Sequence, residues 1–546
     1  MSPLDKKEVQ IPPEKVYTLI TTKERILITI SVMIGTFMAV LDTTIVDVVL
    51  PKMMGPLSTD LYGIQWVITS YMIAAATALL FVENFSKYIG YSYTFIAGIA
   101  IFTFASFFCA SATSLAQMIT FRSIQGMGEA FIMACAQTIL ILTYPPEKRG
   151  TALGIYGLGV SFAPALGPTA GGFITEHLNW RWVFYINVPI GILNIISSFL
   201  VLPKFLGKEK IFHFNFISYL FIALATIFLL IMLSKGQQYG WFQSIFIIKC
   251  LFISLISFSL FFASEIWASI HSKNTLINWK IFKFPEYSWS MGFYFFILGF
   301  VLYQIFYLLP LYYENLKGLT TFQTGLHMLP PAMLIGTCSI TAGILSDKFS
   351  PSIILVIDWF LLLIITFFII PKLNYYTPAY KAVILTLPLG ISVGIFFSPL
   401  TTLAMRNLGK FTGLGVALMH YIRFLGGSFG TAIATNHLER NTKEFFLRIN
   451  ELQNWTYVKH FIYSKVFLID KFFPLELSIK KSKALLYHAQ YIQALSWSFQ
   501  ETFRTIGFWA LIAGIFLTGL IITTLKHHFK SLIYIKKLIH KAEIDQ

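Results

Sequence analysis

Fourteen apolar runs, each about 20 residues long or longer and separated by polar turns, leave this chain few folds to choose from. They fall at roughly 26–50, 62–82, 93–112, 115–143, 151–174, 182–203, 214–234, 245–268, 288–312, 323–344, 351–371, 379–402, 412–437 and 504–525. About 20 residues of helix, rising about 1.5 Å each, cross the hydrocarbon core of a bilayer. Lipid offers backbone amides no partner, so each run has to satisfy its own, and a helix does that. Of the residues, 56% are hydrophobic and only 12% are charged, about half the charge of a soluble chain. The expectation is an all-α polytopic membrane protein with fourteen transmembrane helices.

Basic residues set the expected orientation. With the N-terminus inside, one set of turns carries Lys87, Lys148, Arg149, Lys204, Lys208, Lys210, Lys273, Lys348, Lys410 and Lys526 among others. The short opposite turns offer only Lys52, Arg181, Lys235, Lys249, Lys317, Lys372 and Lys381. That asymmetry puts both termini in the cytoplasm. It also gives the net charge of +16 a natural partner in the anionic leaflet, not in nucleic acid. Residues 1–25 are polar and mixed in charge, and read as a cytoplasmic segment, not a cleaved leader. Cys109, Cys135, Cys250 and Cys338 lie inside apolar runs without pairing or ligand spacing, so no metal site is expected.

The segmentation is then a six-helix half at 26–203, two inserted helices with their loops at 204–287, a second six-helix half at 288–525, and a basic tail at 526–546. A long loop at 438–503, mixing charge with aromatics at helical spacing, interrupts the second half. Amphipathic helices on the bilayer surface, or a cap over the external mouth, are expected there. The turns Glu83-Asn-Phe-Ser-Lys and Gly343-Ile-Leu-Ser-Asp occupy the same place in each half and both carry a charge in the fifth position. Such an echo points to two repeats with a binding site between them.

Charges inside the spans are costly and mark candidate function. Asp42 in span 1 and Arg122 in span 4 lie at similar depth, and a buried Arg needs an acidic partner. Gln125 and Glu129 share the helical face of Arg122, since steps of three and seven residues return to nearly the same angle. Glu129 sits two turns deeper, too far to pair with Arg122. Asp358 and Arg423 are the mid-span charges of the second half; Glu265 lies near a span end, where it could snorkel. His327 and His420 read as ordinary core histidines. The segment 160–191 is dense in small and kinking residues, among them Pro164, Gly167, Pro168, Gly171 and Gly172. These suit close helix packing and a bend, and so a pivot. Asp42 and Glu129 are expected to carry protons, tuned by Arg122, and Trp66 and Tyr71 to line a cavity with Gln125 and Asp358.

Several motifs in order resemble the major facilitator superfamily, specifically its fourteen-span drug:proton antiporters of the EmrB/QacA type. They are Leu41-Asp42-Thr43-Thr44-Ile45-Val46-Asp47, Gln65-Trp66-Val67-Ile68-Thr69-Ser70-Tyr71, Phe121-Arg122-Ser123-Ile124-Gln125-Gly126, Ala163-Pro164-Ala165-Leu166-Gly167-Pro168, Asn179-Trp180-Arg181-Trp182, Gly343-Ile344-Leu345-Ser346-Asp347-Lys348 and Arg423-Phe424-Leu425-Gly426-Gly427. The resemblance implies the major facilitator fold and export of amphipathic or lipophilic toxic compounds across the inner membrane. A proton gradient, with no bound cofactor, would drive it. Asp347 and Lys348 would belong to a gating loop. A periplasmic adaptor and an outer-membrane channel are the partners it implies for envelopes with two membranes. A dedicated exporter of a siderophore or fatty acid is the alternative. No Walker-type loop or nucleophile–base pair suggests an ATPase or another enzyme.

Overall fold

The computed structural model describes residues 13–203, 214–271, 273–469 and 472–544, and for 13–15, 61, 164, 165, 469 and 527–544 it describes the backbone alone. The basic residues Lys204, Lys208 and Lys210 and the charged side chains of the tail beyond Lys526 therefore lie outside the described residues. Every regular element among those described is helical. Among the described residues, thirteen helices are long and apolar enough to cross a membrane. Twelve are α1 (Thr22–Met53), α2 (Tyr62–Ile89), α3 (Tyr91–Ser111), α4 (Leu115–Thr143), α5 (Arg149–His177), α6 (Trp182–Val201), α7 (Phe216–Lys235), α8 (Ile245–Ile270), α9 (Pro285–Leu316), α10 (Thr321–Lys348), α11 (Pro351–Lys372) and α12 (Ala379–Met405). The thirteenth is α15 (Leu475–Ile544).

The expected span 412–437 lies in α13 (Thr412–Glu451), which is not among those thirteen. Its low apolarity has a packing reason. Gly413, Gly415, Gly426, Gly427 and Gly430, with His420 and Arg423, are buried against other helices, so α13 need not present a greasy surface to lipid. It is the most interior helix of the second half, and it packs on α2 and α4 of the first.

The segment 438–503 is helical and continues two of the spans. α13 and α15 run straight out of their spans and pair with each other: the Ser498 hydroxyl donates to the Leu438 carbonyl at 2.7 Å, and Phe446 meets Tyr487 at 5.0 Å. A further helix, α14 (Trp455–Ile469), packs on α15, where Ser478 and Ser482 are buried. The segment is thus a helical projection continuing the spans, about 40 Å from residue 504 to residue 475 at the helical rise. No proline interrupts 475–544. The Glu476–Lys480 pair at 2.8 Å in the first turns of α15 and the Glu444–Arg448 pair at 2.5 Å near the end of α13 support the helices at the far end of the projection.

The inserted helices α7 and α8 are tied to both halves. Thr69 on α2 meets Ser234 on α7 at 2.7 Å, while Thr226 on α7 meets Tyr421 on α13 at 2.6 Å. Glu265 does not snorkel. It is 1% exposed and accepts from the amides of Leu276 and Ile277 (2.9 and 3.2 Å) and from the Trp279 indole (3.0 Å), pinning the loop that leads to α9. Glu265→Ala leaves three donors without their acceptor. The expected result is a loss of about 1–3 kcal/mol, read as a lower melting temperature in detergent.

Candidate functional site

Local structure places Asp42 at the centre of the first half. α1 carries it inward on the face of Ala39, Val46 and Val49, all fully buried. Two neighbouring helices aim three donors at it: from α4, Arg122 Nη1 at 2.6 Å and Gln125 Nε2 at 3.0 Å, and from α6, Asn187 Nδ2 at 2.7 Å. Gln125 also donates to Ser106 at 2.8 Å and accepts from Arg122 at 2.7 Å, so α1, α3, α4 and α6 share one network. The Arg122 guanidinium lies 4.0 Å from the Tyr71 ring centre and reaches the Val67 carbonyl at 3.4 Å. Asp42 and Arg122 are each 1% exposed. An ion pair this dry persists because further hydrogen bonds satisfy both members.

Glu129 lies about 10 Å deeper along α4, seven residues on at the helical rise, and turns to the other half. Its Oε1 is 3.6 Å from Arg423 Nη2 on α13. His420, one turn before Arg423, meets the Tyr156 hydroxyl of α5 at 3.3 Å. This second cluster straddles the seam between the halves and is only half made. Glu129 Oε2, Arg423 Nε, His420 Nδ1 and the Tyr71 hydroxyl are all buried without a hydrogen bond, although Tyr71 reaches toward Glu129. Native interiors leave few polar groups so.

Other candidates are placed elsewhere. Asp358 is buried between α11 and α12, where the Ser392 hydroxyl donates to it at 2.7 Å, apart from both clusters. Trp66 stands near the start of α2, where Lys235 Nζ lies 5.3 Å from its ring centre. Asp47 is exposed.

The small residues of α5 serve two different contacts. Gly167 and Gly171 face Thr44 and Val48 of α1, inside their own half. Gly154 and Gly172 face α10 across the seam: a Cβ on Gly154 would stand 2.5 Å from the Ser339 carbonyl, and one on Gly172 would stand 2.7 Å from Phe322 Cα. α5 and α10 therefore touch from end to end, and the halves are shut on both sides along this line. Pro168 lies within α5; the side chain of Pro164 is outside the described residues.

At the end bearing the N-terminus, Asp347 caps α5. Its carboxylate accepts from the amides of Gly150 and Thr151 (2.7 and 2.8 Å) and from the Thr151 hydroxyl (2.5 Å), while Lys348 is exposed. A carboxylate suits a helix N-terminus. The echo in the first half works through its first place, not its fifth. Glu83 lies against Gly413 in the first turn of α13, and Lys87 pairs with Glu83 at 3.2 Å.

Sequence reasoning missed Asn187 and the pairing of Glu129 with Arg423. Asn187 could have been found as the one amide in an otherwise apolar stretch of span 6 before Asn194. Its neighbour in sequence, Arg181, holds the preceding turn by donating to the Ala112 carbonyl at 3.1 Å and stacking on Trp180 at 4.3 Å.

With this geometry in place, residues 32–431 match the family description Major Facilitator Superfamily. The chain is 30% identical to the multidrug export protein EmrB of Haemophilus influenzae, over 75% of its length and 80% of that protein. It is also 30% identical to the fatty acid resistance protein FarB of Neisseria gonorrhoeae, over 76% of this chain and 80% of that one. The crystal structure of the human organic anion transporter MFSD10 shares the fold, with a TM-score of 0.57 at 10% identity, covering 90% of this chain and 99% of its own.

Proposed function

Because the chain belongs to the major facilitator superfamily, we propose that it is a proton-coupled antiporter that exports amphipathic or lipophilic toxic compounds through the inner membrane, with both termini in the cytoplasm. The observation that carries this reading is Asp42, a carboxylate kept in dry protein by three side-chain donors. A proton arriving there removes the charge that Arg122 pairs with. Arg122 already touches neutral substitutes in Gln125 Oε1, the Val67 carbonyl and the Tyr71 face, so it can trade partners without leaving the cluster. Each trade slackens α1 against α4, and the adjoining contacts of α5 pass that movement to the seam. Glu129 is the second proton carrier in this reading, because it is a buried mid-span carboxylate that pairs with an arginine of the opposite half.

Relatives named for multidrug export and for fatty acid resistance support export as the direction and amphipathic compounds as the cargo. The FarB likeness also favours the narrower reading, a dedicated exporter of fatty acids. The helical projection built from α13, α14 and α15 offers a periplasmic adaptor a place to bind in this reading, which would hand cargo to an outer-membrane channel. The test is uptake of a dye panel by everted vesicles while a pH gradient is imposed and then collapsed. Several unrelated amphipathic dyes are expected to accumulate only while the gradient stands; uptake of fatty acids alone would favour the narrower reading.

A further inference from the structure

The seam cluster has a property that the Asp42 cluster lacks. Asp42 and Arg122 sit in the same half and stay together when the halves part. Glu129 belongs to the first half and Arg423 to the second, so their contact exists only while the halves are closed upon each other. It is also loose: at 3.6 Å it is an ion pair without a hydrogen bond. Both partners keep unused capacity in the same place, an acceptor on Glu129 Oε2 and a donor on Arg423 Nε. His420 Nδ1 and the Tyr71 hydroxyl, each in a residue 1% exposed, add two more unpaired polar atoms. Closing a transporter over cargo means placing something between these two side chains.

The charge of that cargo is constrained. Arg423 stays ionised under all relevant conditions. A buried charge deprived of its partner is strongly destabilising. A cation between the halves would pair with Glu129 and leave Arg423 uncompensated; an anion would pair with Arg423 and, while Glu129 holds no proton, leave that carboxylate uncompensated. A zwitterion leaves neither. Its ammonium takes the place of Arg423 for Glu129, and its carboxylate takes the place of Glu129 for Arg423, so the loaded seam closes with the same charge balance as the empty one.

We propose that Glu129 and Arg423 form the polar subsite for cargo, and that they select amphiphiles with a zwitterionic head group over matched compounds of net charge. The proposal rests on the export reading for its physiological meaning, but it concerns binding, and binding is read without a gradient. A cargo ammonium on Glu129 also excludes a proton there, which is the mutual exclusion that exchange requires.

The experiment uses the purified full-length protein in detergent and three matched xanthene dyes: rhodamine B as the zwitterion, its ethyl ester as the cation, and fluorescein ethyl ester as the anion. Binding is followed by fluorescence anisotropy. Rhodamine B is expected to bind at least about tenfold more tightly than either ester. Glu129→Gln should make the anion the tightest of the three, Arg423→Gln should make the cation the tightest, and Arg423→Lys should keep the wild-type order. The proposal is overturned if the wild-type protein binds the cationic ester as tightly as rhodamine B, if it binds none of the dyes, or if both charge-removing variants keep the original order. The wild-type ranking decides the matter alone should a variant fail to fold. Ordered binding without gradient-driven uptake in vesicles would reject proton coupling and leave this subsite standing.

Discussion

Asp42→Asn is expected to reduce gradient-driven export to background. Asparagine is nearly the same shape and can still accept from Gln125 or Asn187, so the loss would come from charge and not from a hole. Arg122, 1% exposed, would remain ionised with no counter-charge within hydrogen-bond distance. Breaking a buried pair on one side costs about 3–5 kcal/mol. The amount of protein in the membrane should therefore fall as well, and a lower amount alone would reduce export. The double variant Asp42→Asn with Arg122→Gln separates the two effects. Removing both charges is often close to neutral, so the double variant should recover its thermal stability while export stays at background. The coupling between the two substitutions should be large in stability and absent in transport. Full export by either variant would remove Asp42 from the mechanism.

The second large effect is expected at Gly154. A leucine there has no room: its Cβ would stand 2.5 Å from the Ser339 carbonyl and 3.1 Å from Gly343 Cα, and both obstacles are backbone. Since α5 and α10 belong to different halves, relief comes by separating them at the end that carries the N-terminus. Gly154→Leu should therefore hold the protein open to the cytoplasm, stop export, and leave its amount in the membrane near normal. Ser398, fully buried and donating to the Gly150 carbonyl at 2.8 Å, reports on this opening. A cysteine in its place should react with a membrane-impermeant maleimide at least about tenfold faster in the Gly154→Leu background, from the cytoplasmic face alone. Gly167→Leu collides instead with Thr44 inside one half, so it should lower the amount of protein without exposing that cysteine. Equal labelling in the two variants would mean that α5 does not line the moving seam.

The two glycine positions show where reading a sequence stops. Glycine density in 150–172 announces close packing, but which neighbour each glycine meets depends on the rotation of α5 between α1 and α10. No local signal reports that rotation. The spans themselves were legible because lipid demands a continuous apolar length, and the pairing of Asp42 with Arg122 was legible because depth along a helix counts directly in residues. Glu129 with Arg423 was not, since the two lie far apart in the chain, on helices of different halves. α13 was read as the span 412–437 despite its polarity, because an interior helix owes nothing to lipid and can hold Gly, His and Arg. At 438–503, charged and aromatic residues at helical spacing announce helices but not their partners. The pairing of α13 with α15 through Leu438 and Ser498 is a contact between distant segments that no local pattern reports.

The most direct test of proton-driven export reconstitutes the protein in proteoliposomes of one orientation and reverses the pH gradient. If protons on buried carboxylates drive the cargo, a dye should accumulate against its own gradient when the proton gradient opposes it, and should move the other way when that gradient is inverted. Its movement should also shift the internal pH, and the Asp42→Asn, Arg122→Gln protein should do neither. A dye flux of unchanged direction and rate under both gradients, with no pH change inside, would contradict proton coupling through these carboxylates.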